Sequence, residues 1–307
     1  MLALLGGALS TTLPRAAQAQ SNPGTIRIAV SLTEPYMNPY YARDEGFFQK
    51  AGLNIELIVQ PTVSAALNAV AANAADCAQG DIVGTASGII HGIDFGVFAG
   101  SGTQVVTKVP SLALAVVRDS PIRSARDLEG KSIGVVALNT LGQIATQVWL
   151  RKSGADTSKV AFIELPFTGM PAALARNNIA AAVTIEPFLS SPDVPLRILE
   201  SVFNDIAPFY LGPWVSTRSW LNQNAVLARR FVAAIYEAAR WANAHPDETA
   251  AIIAKYTKFT VEDVKKGTRS QYATSLDSAL INPVLAGAYR FGAIAKPLTA
   301  NDLIVHV

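Results

Sequence analysis

Cysteine is nearly absent from this 307-residue chain, with Cys77 the only one. No disulfide can form within the chain, and a metal site built on several thiolates is excluded. Cys77 stands among alanines and reads as a small buried hydrophobe. Histidine is almost as scarce. His91, His245 and His306 lie far apart, none within metal-ligand spacing of another. No metal, no cofactor and no catalytic set is expected. Charged residues make up only 16% of the chain, and the net charge is +2. No Lys/Arg stripe carries interleaved aromatics, which argues against a nucleic-acid surface. The nearest basic cluster is Lys255, Lys258, Lys265, Lys266 and Arg269, and it reads as a solvated helical face. Long apolar runs are also missing. Met1–Leu13 is the most apolar stretch, but a spanning helix needs about 20 residues.

Half of the residues are hydrophobic, ample for the cores of two domains of ordinary size. Ala17-Gln18-Ala19 supplies the small–x–small pattern of a signal-peptidase site, so residues 1–19 are expected to be an export signal, with Gln20 as the new N-terminus. A membrane anchor is the alternative. The basic residues expected ahead of the apolar run are missing and Arg15 follows it, so the signal is expected to begin upstream of Met1. Export without a disulfide points to a bacterial periplasm. The mature chain is expected to be soluble and monomeric.

From Thr25 to about Glu186 strand-like and helix-like segments alternate. Ile26–Val30, Asn54–Gln60, Ser132–Ala137, Val160–Leu165 and Ala180–Ile185 read as strands. Pro39–Ala51 reads as a helix ended by Gly52, and Thr62–Ala75 as one capped by Thr62 or Ser64. Ser124–Asp127 resembles a capping box whose short helix ends at Gly130. This βαβ rhythm implies an α/β fold with parallel-rich sheets and helices on both faces. After Trp214 the pattern is nearly all helix. Val226–Ala244 carries a stripe of Leu227, Phe231, Ile235, Ala238 and Ala242, Pro246 opens the next helix, and Thr260–Asp263 starts another that Gly267 stops. Val105–Val117 and Pro208–Ser219 read as two crossings between lobes. Lobe one is then discontinuous, 25–107 plus 214–307, and lobe two is 108–213.

Four segments together carry a family resemblance. They are Tyr40-Tyr-Ala-Arg-Asp-Glu-Gly-Phe-Phe-Gln-Lys-Ala-Gly-Leu-Asn-Ile-Glu56, Asp119-Ser-Pro-Ile-Arg-Ser-Ala-Arg-Asp-Leu-Glu-Gly-Lys-Ser-Ile-Gly-Val135, Glu186-Pro-Phe188 and Trp241-Ala-Asn-Ala-His-Pro246. The chain resembles the periplasmic solute-binding proteins of ABC importers, in the branch that takes nitrate, sulfonates, taurine and thiamine-pyrimidine precursors. The resemblance implies a two-lobed periplasmic binding protein fold of type II, closing about a two-strand hinge on a small-molecule ligand. It also implies a membrane permease as partner. The same superfamily contains a eukaryotic enzyme type that makes the thiamine pyrimidine, but its Cys-rich motif is missing here.

Loops at the carboxyl ends of strands are the candidate ligand contacts, because helix N-termini there offer unpaired N–H groups. Ser31 and Tyr36 follow the first strand, Ser64 the second, and Gln79 lies in Gln79-Gly80-Asp81. Asn139 and Thr140 open the helix Gln143–Lys152, and Thr168 and Gly169 precede the helix begun by Pro171. The resemblance favours these last two pairs. Glu186 ends the Ala180–Ile185 run. In a cleft it would need a partner, and it would favour a planar or nitrogen-bearing solute over a small sulfonate- or nitrate-type anion. Tyr36, Tyr40 and Trp214 could form stacking walls. Catalysis has little support. Gly84–Gly88 lacks the context of a nucleophile elbow, and Gly92–Gly102 matches no phosphate loop. An exported enzyme or a sensor-coupled receptor is the rival reading.

Overall fold

The computed structural model describes residues 24–106, 108–204 and 206–307. The expected signal, its cleavage site and Gln20 lie outside the described residues, as does Thr107 at the expected lobe boundary. Thirteen strands are described: β1 (Thr25–Val30), β2 (Asn54–Val59), β3 (Cys77–Gln79), β4 (Phe95–Ala99), β5 (Gly102–Gln104), β6 (Leu112–Val117), β7 (Ser132–Val135), β8 (Ala161–Glu164), β9 (Ala181–Ile185), β10 (Leu196–Glu200), β11 (Phe209–Tyr210), β12 (Trp214–Thr217) and β13 (Gln271–Tyr272). They form two five-stranded sheets, ordered β2-β1-β3-β12-β4 and β10-β6-β9-β7-β8, and a small third one, β11-β5-β13. This is the two-lobed α/β periplasmic binding protein fold.

Among the named strands described, β1 pairs parallel with β2 and β3, and β7 with β8 and β9. β12 runs antiparallel between β3 and β4, and β6 antiparallel between β9 and β10. The sheets are therefore more mixed than the βαβ rhythm implies. The two exceptions have one cause. β6 begins opposite the end of β9 (Leu112 beside Ile185), and β12 begins opposite the end of β3 (Trp214 beside Gln79). Each strand follows a passage of the chain between the sheets. It enters at the carboxyl edge of the parallel strands and runs away from it. Those carboxyl edges face each other across the gap between lobes, where open α/β sheets bind ligands. In the small sheet, β5 precedes the outward passage, β11 lies on the return, and both β11 and β13 pair with β5.

Local signals place the elements. Gly46, at φ +75°, splits the expected helix 39–51 into Asn38–Asp44 and Phe47–Lys50. The Thr62 side chain accepts from the Ala65 amide at 3.1 Å and starts Val63–Ala71, which stops before the left-handed Asn73. The capping box at Thr260 and Asp263 is formed on both sides. The 20-residue helix Ala225–Ala244 is about 30 Å long. Its buried face centres on Phe231, which meets Trp214, Phe48 and Phe98 with ring centroids 4.8, 5.8 and 5.8 Å away. No helix among the described residues is long and apolar enough to cross a membrane.

Candidate ligand-binding cleft

A cavity of about 60 Å³ lies between the lobes. At roughly 15 Å³ per water it admits about four waters. The side of the sheet with β1–β3 contributes Tyr36, Val63, Asp81 and Ile82, and the side of the sheet with β7–β9 contributes Val136, Thr140, Leu141, Gly142, Phe167 and Val183. Phe209, Tyr210 and Leu211, at the return passage, close its back. The walls are mostly aromatic and aliphatic, and among the described residues no Lys, Arg or His lines them.

Its polar features come from two helix starts. On the lobe-two side, Asn139 takes a left-handed φ of +57°, tolerable for Asn. Its amide donates to Gln143 Oε1 at 2.8 Å, which anchors the loop. Thr140 Oγ1 turns away from its own helix and donates to the Ala137 carbonyl at 2.9 Å. No side chain then caps Leu141–Lys152, and Thr140, Leu141 and Gly142 at its start line the cavity; the first amides of a helix have no partner within it. On the lobe-one side, Asp81 caps Ile82–Ile90, its Oδ1 accepting from the Gly84 amide at 2.8 Å. Its other oxygen, Oδ2, is out of solvent with no hydrogen-bond partner. Burial pushes this carboxyl up from its ordinary range, opposed by the amides of Gly84 and Val83.

Of the residues singled out from the sequence, Tyr36 and Thr140 line this cavity. Tyr36 also donates its hydroxyl to the Leu211 carbonyl at 2.8 Å, tying β1's loop to the return passage. Asn139 and Thr168 are exposed and Gly169 is half-buried, beside lining residues rather than among them. Ser31 and Ser64 are half-buried and off the lining. Gln79 is buried and donates to Ser101 Oγ at 2.6 Å. Trp214 is wholly buried against Phe231 and forms no cavity wall, because β12 turns its ring into the lobe-one core. Tyr40 packs on Tyr256 with ring centroids 4.8 Å apart.

Glu186 sits elsewhere, at a polar contact between lobes. It is 1% exposed. Its carboxylate accepts from Ser190 Oγ at 2.8 Å, the Ser190 amide at 3.1 Å and the Thr268 amide at 3.3 Å. The donors expected from a ligand are supplied by the protein. Burial pushes its carboxyl up to about 7, against the pull of Ser190 and Thr268. Gly267 matters here for its size: a Cβ would stand 2.9 Å from the Glu186 carboxyl. Its φ of −79° is ordinary, so it ends Val261–Lys266 without a left-handed turn.

Arg269 corrects the reading of the basic cluster. It is no part of a solvated helical face. Its Nε lies 2.5 Å from Glu34 Oε1, and its other nitrogens donate to the Pro246 carbonyl and Thr249 Oγ1. Glu34 is buried, also accepts from the Ser270 amide, and donates its own amide to the Glu186 carbonyl at 3.2 Å. Sequence reasoning missed this pair because its members are 235 residues apart. It placed Asp81 in the candidate loop Gln79-Gly80-Asp81 but took Gln79 as the contact, although Asp-Ile-Val-Gly after a short apolar run is a helix-start signal.

Comparison with known proteins bears on the fold and the family. A protein of Brucella abortus (strain 2308), whose name describes it as a candidate binding protein, is 25% identical over 221 residues, 66% of this chain and 68% of that protein. The alkanesulfonate-binding protein of Xanthomonas axonopodis pv. citri, solved with bound MOPS, superposes with a TM-score of 0.79 at 16% identity, over 94% of this chain and 100% of that one. The desulfurization enzyme DSZB shares the fold with a TM-score of 0.64 at 17% identity, over 92% and 96% of the two chains. The family described as NMT1/THI5 like matches residues 35–249, and this chain belongs to it.

Proposed function

We propose that this protein is an exported solute-binding protein that hands a small molecule to the membrane permease of an ABC importer. The observation that carries the reading is the cavity between the lobes, walled by the carboxyl-edge loops of both sheets and backed by the chain's return passage. Binding there couples to lobe position, because a ligand touching both sides favours the closed arrangement. The division into lobe one (25–107 with 214–307) and lobe two (108–213) is part of the proposal, with the sheet β11-β5-β13 as the hinge. The protein acts in the periplasm as a monomer, and its partner is the permease. The relatives' status as binding proteins supports this role.

The fold also serves an enzyme, DSZB, so turnover has to be tested. Cys77 is fully buried, and burial raises its thiol well above the ordinary range, unlike a poised nucleophile. Native mass spectrometry of freshly purified protein should reveal a bound small molecule at one copy per chain. X-ray scattering should give a smaller radius of gyration with that molecule than after its removal, and the molecule should be recovered chemically unchanged. An unaltered radius at saturation, or steady conversion of the solute, would overturn the importer reading.

A further inference from the structure

The lobes also meet outside the cavity. Residues 186–193 follow β9, and residues 258–270 run through the helix Val261–Lys266, which packs on Pro246–Tyr256 and through it on Asn38–Asp44 and Ala225–Ala244. Phe188 and Phe259, both buried, join the two segments edge to face, with ring centroids 5.3 Å apart. Nearer the surface Lys258 Nζ lies 2.6 Å from Asp193 Oδ2. Deeper in, the Thr268 amide donates to Glu186 Oε1 at 3.3 Å, and the Thr268 hydroxyl donates to the Val109 carbonyl at 3.0 Å, on the outward passage. None of these residues lines the cavity. The contact therefore favours the closed arrangement without help from a solute.

Opening treats the surroundings of Glu186 unequally. Ser190, in the same turn, keeps both of its hydrogen bonds to the carboxylate. Thr268 and Gly267 stand on the opposite segment and withdraw, so water reaches the carboxyl. Burial, which raises its proton affinity in the closed protein, is then lost. The other charges nearby do not answer for this change. Glu34 is a like charge that adds to the rise, but Arg269 and the Ser270 amide hold it on its own side. Lys258 pairs with Asp193, Lys265 with Asp247 and Lys266 with Asp263, while Lys108 beside Val109 is exposed. Among the described residues the hydrogen bonds to the Glu186 carboxyl come from Ser190 and Thr268, and no cation pairs with it. We infer that this contact is a latch whose closing takes up a proton at the Glu186 carboxyl, so that acid favours the closed protein and base the open one. The inference goes beyond the binding-protein reading and rests on it for the hinge. Below 4.5 both arrangements carry the proton and the latch is at full strength. Between 4.5 and about 7 the open form ionises first, so rising pH moves the balance toward opening, and above 7 the loss levels off. Across that interval the ratio of closed to open protein falls by about 300-fold.

X-ray scattering of the solute-free protein, with pH as the only variable, tests the latch. The radius of gyration should be larger at pH 8 than at pH 5, with unchanged circular dichroism and a midpoint between 4.5 and about 7. Glu186→Gln keeps the shape and has no proton to lose, so its radius should stay at the acid value throughout. Ser190→Ala removes a donor that the carboxylate keeps in both arrangements. It raises the proton affinity in both, and should move the midpoint to higher pH. A wild-type radius that does not change would overturn the inference, as would a rise repeated by Glu186→Gln, or a midpoint unmoved by Ser190→Ala. The two readings fail separately. If the radius ignores pH but shrinks when the co-purified solute is restored, the binding-protein reading stands and the latch falls. If the radius answers neither to pH nor to that solute, the binding-protein reading falls too.

Discussion

Replacing Glu186 by Gln isolates the consequence of burying a carboxyl between the lobes. Two effects oppose each other there. Desolvation favours the neutral acid, while the donors from Ser190 and Thr268 favour the carboxylate. Desolvation wins, and the folded group holds its proton up to about 7 against an ordinary 4.5. Below pH 4.5 both folded and unfolded chains carry the proton, and the contribution is fully present. Between 4.5 and 7 the unfolded chain ionises while the folded one does not, so stability falls as pH rises. Above 7 both are ionised and the loss levels off. At about 1.4 kcal/mol per pH unit the interval amounts to roughly 3 kcal/mol. Gln has the same shape and no proton to lose. Urea unfolding of both proteins from pH 4.5 to 8 removes every other titration from the difference. Glu186→Gln should be close to wild type at pH 4.5, less about 1 kcal/mol for an imperfect donor match, and should gain about 3 kcal/mol on it by pH 8. A difference that stays level across the range would mean that Glu186 titrates alike in the folded and unfolded chains. A difference of opposite slope would mean that Ser190 and Thr268 outweigh burial.

Arg269→Ala should cost about 3–5 kcal/mol in urea unfolding, because the Glu34 carboxylate stays buried without its partner; adding Glu34→Gln should recover much of the loss, and a loss below 1 kcal/mol would contradict the buried pair. Phe231→Ala should cost about 3–5 kcal/mol by removing the ring shared by Phe48, Phe98 and Trp214, again read by urea unfolding. Gly212→Ala places a Cβ 2.7 Å from the Tyr36 ring and should push that ring into the cavity, weakening a co-purified solute by roughly tenfold (~1.4 kcal/mol) in calorimetry; unchanged affinity would separate Tyr36 from binding.

The fold is legible in the sequence where the signal is local. Alternating elements up to Glu186, the helix punctuation at Gly52, Thr62 and Thr260, and the apolar helix around Phe231 each follow from neighbours in the chain. Strand direction is different. That β6 and β12 run antiparallel follows from where the chain re-enters each sheet, a property of the whole path. The candidate site divides the same way. Loops at strand ends led to Tyr36 and Thr140, and to the neighbourhood of Asp81 and Phe167. Glu186 stands at the edge where its strand ends, but its partner Thr268 is 82 residues away, and only the folded chain brings those donors to it. Trp214 carries the aromatic chemistry of a binding wall, yet register turns it into the core. Arg269 looked like one more surface cation because Glu34, its counter-charge, belongs to the other end of the chain.

Where the solute sits is decided by a crystal structure of the protein saturated with its co-purified solute. The account predicts the solute in the cavity bounded by Tyr36, Asp81 and the first turn of Leu141–Lys152, in contact with both lobes. Solute found instead in the groove between Leu141–Lys152 and Asn282–Arg290, with the cavity at Tyr36 and Asp81 holding none, would place binding away from the carboxyl-edge loops and overturn this reading.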